Sequence, residues 1–302
     1  MTYIIENANI LSGKGLTKAS LFIQQGKISS VKSSFKKYSH MRMNADPYYL
    51  TVPHIPLVTN IPVDKPFLEM KTFFTDELIS KGCTAFLTYV EVKQEYLFEE
   101  ALKKMKTQLL SSPIDYIICV KISSALLTTS FIRKCKREKV PGIFIEFGHE
   151  EELMKIPWGW IKEALFPYNC PLIPVVKQEN ERAKKKVISE WNELVQNEKL
   201  PAFQEELTSQ NPLTLQQLAR MGIYPLKACI QPGREVSYNL YRKSRQIMNV
   251  EHSELFHYHS DMLMVTVHKG QVIRAGQKID FRPGFGEHVK IVTPSYFQID
   301  VD

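Results

Sequence analysis

Residues 49–62 read Y-L-T-V-P-H-I-P-L-V-T-N-I-P, from Tyr49 to Pro62, and the architecture turns on how this stretch is read. It stands at a junction. Upstream lie short β-rich segments and tight turns. Downstream, from Pro53, apolar runs of strand length alternate with helical patterns. Residues 55–59 read as a strand, 63–81 as a helix, and 83–90 (C-T-A-F-L-T-Y-V) as the next strand. Gly82 stands between the last two, where a glycine closes a helix in the left-handed conformation.

The βα rhythm continues outward from the junction. Tyr116–Val120, Pro141–Phe147 and Pro171–Lys177 are apolar runs of the kind expected for parallel strands covered on both faces. Helices are expected between them, at 96–110, 125–139, 150–165 (interrupted near Pro157 and Gly159) and 183–195. Leu97, Phe98, Ala101, Leu102, Met105 and Leu109 make one apolar stripe. Val187, Ile188, Trp191, Leu194 and Val195 make another. Both stripes are read as core packing. Residues 197–210 are polar without a strand pattern, and 212–221 read as a last helix. On the amino-terminal side, Tyr3–Ile5, Ala8–Leu11, Ala19–Ile23 and Lys27–Val31 read as strands. Gln24-Gln25-Gly26 gives a hairpin signal between the last two. Lys32–Tyr48 reads as a crossing loop, and Met262–Arg274 as another hairpin.

Several of these stretches resemble one known group. They are the opening I-I-E-N-A-N-I-L-S-G-K-G with L-F-I-Q-Q-G-K-I-S-S-V, the junction itself, S-K-G-C-T-A-F-L at 80–87, Gly222–Tyr241 (matching at Gly222, Lys227, Ile230 and Gly233), and the hairpin at 262–274. In that order they resemble the amidohydrolase superfamily, and within it the cyclic amidohydrolases, dihydroorotase and dihydropyrimidinase. The resemblance implies an α/β fold: a TIM-type (β/α) barrel at 51–221, beside a small β-sandwich composed of 1–50 and 222–302. A complete (β/α)₈ barrel takes roughly 200–250 residues or more. Only five βα units are visible here, so the barrel is expected to be shortened or open.

The resemblance also implies a metal centre at the carboxyl ends of the barrel strands, where a divalent ion acidifies water and polarises the scissile carbonyl. The family's ligand positions fall near Thr59 and Ile61 on the first strand, Ile145 on the fourth and Lys177 on the fifth. Its later ligands have no counterpart. Apolar side chains coordinate no metal. The expectation is therefore an amidohydrolase-like protein without cofactor that acts by binding or assembly. The alternative is an active hydrolase of cyclic amide or other non-peptide C–N bonds with a rebuilt site, on a divalent metal such as zinc.

Two further sets of residues are candidates. Lys121, Glu146, Lys177 and Glu179 stand near strand ends, where barrel chemistry takes place. His252, His257 and His259, with Asp261, are a possible metal set around the one H-x-H; the other reading is a surface loop. His54 reads as a packed or hydrogen-bonded histidine. No Ser-hydrolase, P-loop or Rossmann fingerprint occurs.

Composition narrows the partners. The chain has 302 residues, 44% hydrophobic and 24% charged, with no membrane-length apolar run and no signal-peptide pattern. Five dispersed cysteines (83, 119, 135, 170 and 229) without a C-x-x-C point to buried thiols in a reducing, cytoplasmic setting. The net charge of +7 is concentrated on helices, at 133–139 and 182–186, without interleaved aromatics, which argues against nucleic-acid binding. An open barrel leaves strand edges and apolar surface, so a homo-oligomer, most simply a dimer, is expected, with room for another protein partner.

Overall fold

The computed structural model describes residues 2–12, 15–247 and 250–294. Strands from both chain ends join in one large sheet. Its central strand is β1 (Thr2–Ser12), with β2 (Gly15–Gln24) and β3 (Lys27–Lys32) on one side. On the other side come β5 (Tyr48–Thr51), β10 (Tyr238–Arg242), β11 (Leu263–His268), β12 (Gln271–Ala275) and β13 (Lys278–Ile279). The seam between the ends is the antiparallel pairing of β5 with β10, Leu50 opposite Leu240. β1 looks like two strands in the sequence because its register against β2 shifts between Ile5 and Ala8, with Asn7 at φ 55°. The β2–β3 hairpin forms as expected: Gln25 and Gly26 both take positive φ, as a type I′ turn requires.

The crossing loop at 32–48 is corrected by the structure. It contains a short strand, β4 (Met41–Asn44), parallel to β1. Its side chains are largely exposed, so no apolar alternation announces it. The pairing is carried by the backbone and by Arg42, which pairs with Glu6 and donates to the carbonyls of Phe35 (3.0 Å) and Tyr38 (2.7 Å).

The second sheet is parallel, in the order β6 (Ala85–Glu91), β7 (Asp115–Ser123), β8 (Ile143–Phe147), β9 (Leu172–Val176). Helices α1 (Phe67–Phe73), α2 (Phe98–Gln108), α3 (Thr129–Glu138), α4 (Glu151–Met154), α5 (Trp158–Leu165) and α6 (Glu181–Glu198) follow in the expected rhythm. Gly82, at φ 82°, ends the first of these helical segments, which widens into a π turn after Phe73. Residues 55–59 do not form a ladder. Leu57 forms an isolated bridge to Leu87 of β6, and His54, just before the run, bridges to Cys83. Pro53 and Pro56 remove two backbone donors there, which is why an apolar strand-like run yields bridges rather than a strand.

Side chains alternate across this sheet. Phe86, Ile118, Val120, Ile143, Ile145 and Phe147 pack into the helix layer with Phe98, Phe131 and Trp191. Ala85, Leu87, Ile117, Cys119, Phe144 and Ile173 face the concave side. That concavity is filled by Phe203, Leu213 and Ile223, together with Leu218 of α7 (Leu215–Arg220). One segment, 201–213, covers the β9 edge and, at its other end, bonds to residues 55–57, which lie along the β6 edge. Phe203 N–H donates to Leu172 O (2.9 Å) on the β9 side. Leu57 N–H donates to Asn211 O (3.2 Å) and Leu213 N–H to Ile55 O (2.9 Å) on the other. The two edges expected to stand open are thus both hydrogen-bonded within the chain, as natural sheets require of their edges.

Candidate functional site

Four side chains meet at the carboxyl ends of β6, β7, β8 and β9, on the concave face. Lys121 Nζ lies 2.9 Å from Glu91 Oε1 and 3.0 Å from Glu146 Oε2. Lys177 Nζ lies 3.2 Å from Glu146 Oε1. Tyr89, its ring tilted against that of Phe144, lies 5.6 Å from the Lys121 ammonium. Three of the four sequence candidates at strand ends are therefore brought together. The fourth, Glu179, is exposed beyond β9. Lys121 is only 16% exposed. Burial opposes its charge, but the Glu91 and Glu146 carboxylates outweigh that and hold its pKa above the ordinary lysine value. Burial likewise opposes the charge on Glu146, and Lys121 and Lys177 outweigh it, so its pKa falls below the usual range. A lysine held protonated in this way is neither a base nor a nucleophile near neutral pH.

The positions that the family resemblance assigns to a metal lie around this mouth but do not suit one. Thr59 Oγ1 is hydrogen-bonded to Ser209 Oγ (3.0 Å). Ile61 packs on the helix-layer core. Ile145 is fully buried and points into the helix layer, away from the concavity; the alternation gives the inward place to its neighbour Glu146. Lys177, 75% exposed, is tied to Glu146. This donor set does not hold a divalent ion.

The histidine-rich stretch is a helix rather than a surface loop: α8 (His252–Tyr258), with His259 just beyond it. It packs beside the junction. His252 Nε2–H donates to Val52 O (3.1 Å), and its ring lies 4.1 Å from that of buried His54, whose Nε2 meets Tyr241 Oη at 2.9 Å. His257 Nε2–H donates to Asn211 Oδ1 (2.8 Å). The ring nitrogens of His252, His257 and His259 do not converge as a ligand triple. Asp261 is exposed. Between α8 and residues 205–217 opens a cleft of about 420 Å³, lined among others by Glu205, Asn211, Thr214, Ser253, Glu254 and His257.

Burial, then the neighbouring His252 and His257, depress the pKa of His54 well below the ordinary histidine value. Burial lowers that of His252 as well, against its bond to Val52 O. The fold thus favours the neutral form of both rings, while the unfolded chain takes up their protons near pH 6.5. Their contribution to stability is thus whole above about pH 6.5 and is lost as pH falls, at up to about 1.4 kcal/mol per pH unit for each ring. We expect the thermal midpoint to drop between pH 7.5 and pH 5.5, and His54→Gln to flatten that slope. An unchanged slope in the variant would show that these rings do not set it.

Sequence reasoning missed a third cluster, at the opposite end of the sheet. Asp115, the first residue of β7, is buried. Its Oδ2 lies 2.6 Å from Lys227 Nζ, its Oδ1 lies 2.8 Å from Lys269 Nζ, and Oδ1 accepts from Glu287 N–H at 2.8 Å. Lys227 also pairs with Glu235, and Lys269 with Glu287 at 3.1 Å. The signal available in the sequence was a lone aspartate at the head of the apolar run I-I-C-V. The lysines and glutamates come from segments more than 100 residues away.

The basic helix residues are also engaged. Lys134 pairs with Glu95 (3.0 Å), Arg137 with Glu99, Lys184 with Glu206 and Lys186 with Glu150, and Lys136 donates to Ala164 O (2.9 Å). Among the described residues no helix is long and apolar enough to cross a membrane.

No protein-family profile and no curated protein matches the chain by sequence. Solved structures do match. A D-hydantoinase superposes over 96% of this chain and 99% of its own, with a TM-score of 0.60 at 12% identity. The dihydropyrimidinase from Brevibacillus agri NCHU1002 covers 97% of this chain and 99% of its own, with a TM-score of 0.60 and 12% identity. The L-hydantoinase (dihydropyrimidinase) from Arthrobacter aurescens covers 96% and 100%, with a TM-score of 0.63 and 12% identity. The chain has the fold of these hydantoinases and dihydropyrimidinases. The resemblance read from the junction and the two chain ends is thereby shown at the level of fold.

Proposed function

We propose that this hydantoinase-fold chain has lost metal-dependent hydrolysis and acts by binding or assembly, without a cofactor at its strand mouth. One observation carries the reading. At the carboxyl ends of the parallel strands, where a barrel enzyme places its chemistry, stands a closed run of ion pairs, Glu91–Lys121–Glu146–Lys177. Its cations already neutralise its anions. A dimer or a second protein is the partner such a role calls for, and the cytoplasm its setting. With both edges of the parallel sheet capped, the case for a second copy rests on exposed apolar side chains such as Met154, Trp160 and Phe166.

The test is turnover. Purified protein supplemented with zinc, manganese or cobalt is offered hydantoin, dihydrouracil and dihydroorotate. We expect no hydrolysis above the metal-only background. Turnover that Lys121→Met or Glu146→Gln abolishes would overturn the reading. Light scattering at micromolar concentration tests assembly, and a monomer would count against it.

The cleft favours a second reading, a hydrolase with a rebuilt site. There His257 donates through Nε2 to Asn211, and Ser253 stands one helical turn before it on α8. Base and orienting residue are in place beside a possible nucleophile. Hydrolysis of activated esters or amides that His257→Ala removes would support it. Rates equal in the two proteins would dismiss it.

A further inference from the structure

The cluster around Asp115 has a feature that ion pairing leaves unexplained. His268, at the end of β11, is fully buried, and neither ring nitrogen makes a hydrogen bond. Its Nε2 points at Asp115 Oδ1 from 3.6 Å, and its ring stands edge-on to Phe285. A buried imidazole without partners is destabilising, because each polar atom has given up water for nothing. The ring is nevertheless held against a carboxylate.

Asp115, Glu235 and His268 each offer one ligand atom, and the three atoms lie within 4.8 Å of one another; among the described residues this is the one such triple. In a tetrahedral zinc site the ligand atoms stand ~3.4 Å apart, so only a modest closing of the side chains is needed. One imidazole and two carboxylates suit a first-row divalent cation rather than a soft monovalent one. The position between the two carboxylates is already a cation position, because Lys227 Nζ occupies it.

Charge decides whether a metal improves on the lysine. Asp115, Glu235 and Glu287 bring three negative charges, and Lys227 and Lys269 bring two positive ones, so these five side chains sum to −1. With Lys227 turned out and a divalent ion in its place, the sum becomes zero. Lys227 is 11% exposed, so its ammonium has a way to solvent. The bound ion also gives the buried imidazole the partner it lacks.

We propose that Asp115, Glu235 and His268 form a binding site for a divalent first-row cation such as zinc, with Lys227 as the resident counter-charge that the metal displaces. The site lies at the amino ends of the strands, where barrel proteins build stability rather than chemistry. It ties β7 and β11 to the segment before β10, so its role is a staple between the two sheets.

The probe is cobalt(II), titrated into the full chain and read by its visible absorption, with zinc-induced shifts in thermal midpoint alongside. Lys227→Met removes the competitor and is expected to bind at least tenfold tighter than wild type. His268→Gln and Glu235→Gln, each added to Lys227→Met, are expected to weaken binding at least tenfold. Far-ultraviolet circular dichroism confirms the fold of each variant; should the His268 variant fail to fold, Glu235, at the rim, serves alone. Equal affinity in wild type and Lys227→Met overturns the proposal. So does cobalt binding that survives both ligand substitutions, which would place the metal at the strand mouth or on α8. Because the readout is binding and stability, the result stands apart from any hydrolytic activity.

Discussion

Replacing Asp115 by asparagine is expected to lower the unfolding free energy by about 3–5 kcal/mol, seen as a shifted midpoint in urea or thermal unfolding. The carboxylate is 1% exposed and faces the ammonium groups of Lys227 and Lys269. Two half-buried lysines that lose this shared anion, and keep only Glu235 and Glu287, cost more than the pair gains over an apolar replacement. A neutral partner should therefore relieve the loss: Asp115→Asn with Lys227→Met should be less destabilised than the sum of the single changes, by about 1–3 kcal/mol. Additive losses would show that the two groups do not depend on each other. The pH dependence gives an independent check. Burial works to raise the Asp115 pKa, but His268 and Lys227 outweigh it and hold it well below the usual carboxylate range. A depressed folded pKa stabilises fully above the unfolded value of about 3.9 and loses that stability as pH falls through the folded value. The gap between wild type and Asp115→Asn should thus persist from pH 8 to pH 5 and narrow below pH 4.

The same cluster marks the limit of what the sequence discloses. Strands and helices of the parallel half are legible because each is written locally. An apolar run such as Tyr116–Val120 and a stripe such as Phe98–Leu102 lie within one stretch of chain. The junction at Pro53 was legible for the same reason, although its two prolines turned a strand into bridges. The mouth was half legible. Lys121, Glu146 and Lys177 sit at strand ends that periodicity places, but a one-residue error in register put the inward position at Ile145 instead of Glu146. In a sheet such a slip exchanges core for cavity. Asp115, Lys227 and His268 belong to three distant segments, and only the tertiary fold makes them neighbours. The capping of both sheet edges was hidden for a similar reason. Residues 201–213 carry no strand pattern, because they pair through a few backbone bonds at each end rather than along a ladder.

That capping segment hangs on one side chain, and Trp191→Ala is expected to cost about 3–5 kcal/mol, near the top of the range for core truncations. The indole on α6 is fully buried between Phe147 of β8 and Trp158 of α5, with ring centroids 5.4 and 5.8 Å away. Its Nε1–H donates to Phe203 O at 2.7 Å. Phe203 in turn donates to Leu172 of β9 and plugs the concave face beside Leu213. Truncation therefore opens a cavity in the helix layer and also frees the segment that covers the β9 edge. Trp191→Phe separates the two effects. It keeps most of the packing and removes only the donor, for an expected loss of about 0.5–1.5 kcal/mol. Hydrogen exchange reads the second effect directly. In the alanine variant the amides of Phe203 and Leu172 should lose protection, while those at the centre of β7 keep theirs. A freed β9 edge is also a template for pairing between chains, so the alanine variant should aggregate more readily than other core variants of equal stability loss. If Phe203 keeps its protection in Trp191→Ala, the edge is held by the backbone pairing and by Leu213 alone, and the indole acts only as core.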